Sequence, residues 1–207
     1  MAQFFEVHPT HPQARLIKQA AEIVRKGGIV VYPTDSCYAI GCHIGDKDAM
    51  TTLRRIRNVD ETHHFTLMCR DLSSIATFAK VDNVQYRWLK ASTPGPYTFI
   101  LEASREVPRR LAHPKRRTIG LRVPENAVAH ALLDELGEPI LSTTLILPDD
   151  DLPLNDMAEI RRHLEKQVDL IIDGGACGIE PTSVIDLTTD TPVVIRAGRG
   201  DVSMFGA

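Results

Sequence analysis

Aromatic residues are scarce, at 5% of 207 residues, so a surface tiled with stacking rings for single-stranded nucleic acid is not expected. No run approaches the roughly 18 apolar residues that a membrane helix needs. The N-terminus, Met1-Ala2-Gln3-Phe4-Phe5-Glu6, lacks the basic start and apolar stretch of a secretory signal. Cysteines are few and scattered (Cys37, Cys42, Cys69 and Cys177), with no CxxC and no zinc spacing. Unpaired thiols of this kind suit a reducing compartment, so a cytoplasmic location without a membrane partner is expected. The sequence also has no GxSxG elbow, no HExxH and no GxGxxG between a strand and a helix. Cys177 has no identifiable base to activate it as a nucleophile. His63 and His64 are adjacent, so on one strand they would point to opposite faces and make poor joint metal ligands. No bound metal is expected.

What is present reads as an ordinary globular chain, 43% hydrophobic and 25% charged. Leu16, Ile17, Ala20, Ala21, Ile23 and Val24 form a helical stripe within 12–26, and Gly27-Gly28 ends it. Further helices are expected over 50–57, over 128–136 before Gly137, and over 157–164. Strands are expected at 29–32, 65–69, 97–101, 119–123, 140–144, 168–172, 183–187 and 193–195. Strands alternating with helices argue for α/β architecture, and the short connections argue for a sheet of mixed direction. No repeat or linker interrupts the pattern, and a single domain over 1–207 is expected.

The formal charge of −3 hides an asymmetry. Arg105, Arg109, Arg110, Lys115, Arg116, Arg117 and Arg122 share one segment with a single acid, Glu106. A basic stretch in an acidic protein is a candidate footprint for phosphates, and no DNA sequence specificity is implied by it. The acidic run Asp149-Asp150-Asp151 followed by Asp156 and Glu159 reads as a solvated face. Tyr32-Pro33-Thr34-Asp35-Ser36-Cys37-Tyr38 places hydroxyls, a carboxylate and a phenol just after a strand, where open α/β sheets usually hold ligands. A turn capped by Thr34 and Asp35 explains the same residues structurally. Arg54, Arg55 and Arg57 suit the C-terminal dipole of their helix or a phosphate clamp. Arg196-Ala197-Gly198-Arg199-Gly200 adds glycines and charge after a strand.

Taken in order, these segments resemble the YrdC/YciO family, most closely its YciO branch. Pro33-Thr34-Asp35-Ser36-Cys37-Tyr38-Ala39-Ile40-Gly41 is similar to the family's PTDTVYGLG. Pro94-Gly95-Pro96-Tyr97-Thr98 resembles PGPxT, and Ile119-Gly120-Leu121-Arg122-Val123-Pro124 resembles xGxRxP. Pro181-Thr182-Ser183-Val184-Ile185-Asp186 resembles PSTVVD, and Arg196 stands at the RxG ending. The resemblance implies a YrdC-like fold, a twisted mixed sheet with helices and a basic concave pocket.

It also implies threonylcarbamoyl-AMP synthesis from L-threonine, bicarbonate and ATP with Mg²⁺, for tRNA modification. By matching, Arg55, Arg57, Thr144, Ser183 and Arg196 would serve the nucleotide phosphates, and Thr34 and Tyr38 the amino acid. Two signatures depart: Arg55-Ile56-Arg57 stands for KxR, and Thr144-Leu145-Ile146 for SxN. A histidine that some members place after the second strand corresponds to Cys69. An aliphatic Ile146 cannot donate to phosphate, and arginine does not replace lysine where geometry matters. A synthase-like protein of altered activity is one reading. The alternative is a double-stranded RNA or tRNA-binding protein without that chemistry, using Arg109, Arg110, Lys115, Arg116 and Arg117. A small-molecule hydrolase or regulatory module is a third.

Overall fold

In chain order the first elements are β1 (Gln3–Glu6), α1 (Ala14–Arg25), β2 (Val30–Tyr32), β3 (Ala39–His43), α2 (Lys47–Arg57) and β4 (Thr66–Met68). They are followed by α3 (Leu72–Phe78), α4 (Asn83–Ser92), β5 (Tyr97–Glu102), β6 (Thr118–Arg122) and α5 (Ala127–Leu136). The last are β7 (Ile140–Thr144), α6 (Met157–Leu164), β8 (Leu170–Asp173), β9 (Ser183–Asp186) and β10 (Val193–Arg196). This computed structural model describes residues 1–206.

All ten strands join one sheet, in the order β1-β8-β2-β3-β7-β4-β6-β5-β9-β10. Four neighbouring pairs are parallel (β1 with β8, β8 with β2, β4 with β6, β5 with β9) and the others antiparallel. The expected α/β fold with a mixed sheet is therefore the observed one.

Pleating divides the strands between two cores. On one face Val31, Ile40, Leu67, Phe99, Leu121, Leu141 and Ile185 pack beneath α2, α4 and α6, which bury Leu53, Leu89 and Ile160. On the other, Val30, Tyr32, Met68, Ile140 and Leu170 meet the apolar sides of α1 and α5, including Val24 and Leu132. Helix α1 ends where Gly27 turns the chain at φ +86, and α5 ends at Gly137 with φ +74. The α1–α5 layer covers the β1–β3 side of its face and reaches Ile140 of β7 and Met68 of β4, and the rest of that face becomes the floor of a cavity.

Four elements lie outside the sequence expectations. β1 adds an edge strand beside β8. β3 forms because the segment after β2 is a tight turn: Thr34 Oγ1 donates to the Cys37 carbonyl at 2.6 Å and returns the chain antiparallel. Helices α3 and α4 have short apolar faces, and their visible signal is at their caps. Asp71 caps α3, and Asp82 with Gln85 forms a reciprocal capping box on α4.

Candidate functional site

On the uncovered part of the sheet every second residue faces outward: Ser142 and Thr144 of β7, Thr66 of β4, Thr118, Gly120 and Arg122 of β6, and Thr98 and Ile100 of β5. Register aligns Ser142, Thr66, Gly120 and Ile100 side by side. Hydroxyl-bearing threonines satisfy two demands at once, a β-branched backbone preference and a wettable surface. The result is a cavity of about 340 Å³, within the ordinary range for small-molecule sites. Gly120 keeps the floor low, since a Cβ there would stand 3.3 Å from Thr98 Cγ2 and 3.4 Å from Thr66 Oγ1.

The turn after β2 makes one wall. Thr34 is buried within it, accepting from the Ser36 and Cys37 amides at 3.2 Å each, so it shapes the turn and does not line the cavity. Asp35 Oδ1 accepts from Arg122 Nη2, and the two side chains are only 11% and 7% exposed. Asp35 Oδ2 and Arg122 Nε have no protein hydrogen-bond partner. Tyr38 lines the cavity and donates its hydroxyl to Gly175 O at 2.7 Å, which pins the glycine loop 174–178. Burial pushes the Cys177 thiol up to about 11, and its Sγ donates to Thr34 O at 3.5 Å.

The opposite wall is rich in imidazole. His63 and His64 precede β4 and both line the cavity, together with His113 and Arg116 from the 103–117 loop. The two histidines lie not on one strand but in the irregular segment before β4, and both border the cavity. His63 Nε2 stands 3.2 Å from Thr143 Oγ1. Burial first, then Arg57 and Arg54, holds its pKa below the ordinary imidazole value. Among the described residues no cluster of His, Cys, Asp and Glu has the arrangement to hold a metal ion.

The other residues singled out by the sequence are distributed unevenly. Thr144 and Arg196 line the cavity; Arg196 donates from Nε and Nη2 to the Thr182 carbonyl at 3.0 and 2.8 Å. A bulge between Val194 and Arg196 sets Arg196 opposite Val184, a lining residue. Arg57 is buried, with Nε lacking a partner, and burial lowers its pKa. It lies near the His63 wall without lining the cavity itself. Arg55 is exposed and borders a separate depression with Asp150, Glu159 and Arg162. Ser183 is fully buried and ties β9 to the segment after β10, donating to Gly200 O at 2.5 Å and accepting from the Gly198 amide at 2.9 Å. Its neighbour Thr182 supplies the lining. Arg109, Arg110, Lys115, Arg116 and Arg117 are all exposed on one loop, of which Arg116 reaches the cavity. Ile146 is outside the lining, its amide donating to Thr144 O at 3.0 Å.

The sequence offers Arg122 only as part of the basic stretch and of the Ile119–Pro124 segment, and Thr66, Thr98, Thr118 and Ser142 only as hydroxyls of one pleat phase. The approach of His113 to His64 depends on a loop path that no local pattern encodes.

Comparison with known proteins follows the fold. The Sua5_yciO_yrdC family model, described as telomere recombination, matches residues 22–198. The chain is 61% identical over 205 residues to the uncharacterized protein YciO of Escherichia coli (strain K12), covering 99% of this chain and 100% of that protein. The crystal structure of E. coli YciO superposes with a TM-score of 0.95 over 99% of this chain and 100% of that one. A threonylcarbamoyl-AMP synthase of Halorhodospira halophila is 31% identical over 172 residues, 82% of this chain and 89% of that protein. Sua5 of P. abyssi, crystallised with L-threonine, matches with a TM-score of 0.87 at 24% identity, covering 95% of this chain and 58% of its own, a likeness of fold alone.

Proposed function

The chain belongs to the Sua5/YciO/YrdC family, and from that premise we propose that its cavity binds ATP through the phosphates and supports chemistry of the threonylcarbamoyl-AMP synthase type. One observation carries the proposal. The lining brings together Arg116, Arg196 and the Asp35-paired Arg122, three imidazoles and a row of hydroxyls, and among the described lining residues none is an Asp or Glu. Such a surface suits anions, and donors fixed in a cavity partly withdrawn from water act strongly on developing charge.

The reaction proposed is a displacement at phosphorus. Threonine's amine attacks the carbon of bicarbonate, a C–O bond breaks with loss of water to give a carbamate, and the carbamate oxygen attacks the α-phosphate. The new bond is carbamate oxygen to phosphorus, and the bond broken releases pyrophosphate. The protein's part is mainly positioning and charge. Arg116 and Arg196 stand at the cavity for the phosphates, with Thr144 as a hydroxyl donor. Arg57, buried beside the His63 wall, contributes its field. Tyr38, holding the glycine loop, bounds the end assigned to the amino acid, and Thr34 sets the turn that carries Tyr38. Magnesium enters with ATP as part of the substrate and is held by phosphate oxygens and water, as Mg²⁺ prefers.

Arg55 and Ile146 deliver neither a cation nor an amide to this lining, so turnover slower than in the synthases is expected. The test is pyrophosphate release from ATP, L-threonine, bicarbonate and Mg²⁺. Release that requires both threonine and bicarbonate supports the proposal; ATP binding without release removes the synthase reaction and leaves a nucleotide site. A second reading, binding of double-stranded RNA or tRNA, is favoured by one feature: Arg109, Arg110, Lys115, Arg116 and Arg117 are exposed on one loop, from which Arg116 reaches the cavity.

A further inference from the structure

We propose that His63, His64 and His113 form a subsite for the polyphosphate end of the nucleotide, in which His64 takes up a proton on binding and supplies the positive charge that Arg55 does not bring to the cavity. This rests on the nucleotide reading above and adds to it the regulation of that site by pH.

The geometry gives the three rings different duties. His113 is fixed by its own loop: its amide donates to Thr118 O at 2.8 Å, and its carbonyl accepts from Arg117 N at 2.8 Å. Its Nδ1 accepts from the amides of Lys115 at 3.2 Å and Arg116 at 3.1 Å. With Nδ1 engaged by two backbone amides, Nε2 is the ring nitrogen left to meet a ligand. His63 is half-buried, with Nε2 beside the Thr143 hydroxyl. His64 is exposed at the cavity, its ring centroid 4.9 Å from that of His113, and among the described residues neither of its nitrogens has a hydrogen-bond partner. It is therefore the ring free to take a proton when an anion arrives.

The surroundings set the direction of the coupling. From α2, Arg54 and Arg57 face this wall; Arg54 lies over the Phe65 ring at 4.8 Å. From the turn before β4 comes Asp60, the one acid acting on His63, and from the 103–117 loop come His113 and Arg116. β7 contributes only the hydroxyls of Thr143 and Thr144. For His64, burial first and then His113, Arg116 and Arg54 lower the pKa below the ordinary imidazole value, so the free ring is mostly neutral at neutral pH. A bound polyphosphate reverses the local field and raises that pKa. Binding then takes up a proton. Affinity rises as pH falls through the pKa of the bound state and levels off below the pKa of the free state.

Calorimetry of ATP–Mg²⁺ binding in two buffers of different ionisation enthalpy measures the proton uptake directly, with His64→Asn beside the parent protein. The nucleotide's own protonation is common to both, so their difference isolates the imidazole. The expected result is an uptake larger by up to about one proton in the parent protein, with an affinity change approaching about tenfold per pH unit that His64→Asn loses. Circular dichroism of the variant confirms that it is folded. Equal uptake by both proteins, with ATP bound, overturns the subsite and leaves the nucleotide reading standing. Absence of ATP binding in the parent protein at any pH from 5.5 to 8 overturns both.

Discussion

Replacing Asp35 by alanine removes the one carboxylate paired with Arg122 and leaves a guanidinium that is 7% exposed without an anion. Breaking a buried pair from one side costs about 3–5 kcal/mol, chiefly because the remaining charge is stranded. Two details place this pair near the lower figure. Asp35 Oδ2 and Arg122 Nε already lack protein partners, and Arg122 Nη2 keeps a long contact to Thr34 Oγ1 at 3.4 Å. With a urea dependence of about 3 kcal/mol/M for a chain of this size, a loss of about 3 kcal/mol lowers the unfolding midpoint by about 1 M. Asp35→Ala combined with Arg122→Met should recover most of that loss, since an apolar side chain of similar length needs no counter-ion. The single variant should also bind inorganic pyrophosphate more tightly, because Arg122 lines the cavity and its charge is no longer neutralised. Stability and anion affinity therefore move in opposite directions. A midpoint shift equivalent to less than about 1 kcal/mol, or a double variant as unstable as the sum of its parts, would refute the account.

Gly120→Val should fold with stability changed by less than about 1 kcal/mol, since valine suits a strand and its Cβ needs only tenths of an ångström, yet its methyls fill the floor and should weaken ATP binding at least about tenfold in a titration. Charge reversal at Arg116 and Arg117 should weaken RNA binding for all sequences alike and flatten its salt dependence by about one unit of slope per lost phosphate contact; an unchanged slope argues against RNA on this loop. Cys177 should react slowly with iodoacetamide, because the thiolate is the nucleophile and burial pushes its pKa up to about 11. Its alkylation, followed by mass spectrometry, should lag a free thiol at pH 7.5 by about two orders of magnitude and climb about tenfold per pH unit until that value.

Much of the scaffold was legible because period and punctuation agree with the final packing. The stripe from Leu16 to Val24 buries where expected, and Gly27 and Gly137 stop their helices at positive φ. β3 was hidden because Ala39-Ile40-Gly41-Cys42 looked like the tail of a polar loop, whereas Thr34's hydroxyl folds that loop into a turn. α3 and α4 carry little apolar surface, so only Asp71 and the Asp82–Gln85 pair announce them. At the site, motif matching found Tyr38, Thr144 and Arg196, which line the cavity, and pointed near Thr182 by way of Ser183. It could not show that Arg55 faces a different depression, because adjacent helical positions diverge by about 100°. Nor could it show the histidine wall, which arises when residues some fifty positions apart are brought together by the 103–117 loop.

The period-two alternation of the cavity strands has an evolutionary corollary. Thr66, Thr98 and Ser142 face the cavity, while their chain neighbours Leu67, Phe99 and Leu141 belong to the core beneath. Neighbouring positions thus meet different physical demands, one set by the cavity surface and the next by the packing of the core. A lineage can therefore redraw the chemistry of the floor by single substitutions without eroding the scaffold that presents it. Chains sharing this sheet can diverge in what they recognise long before their folds drift apart.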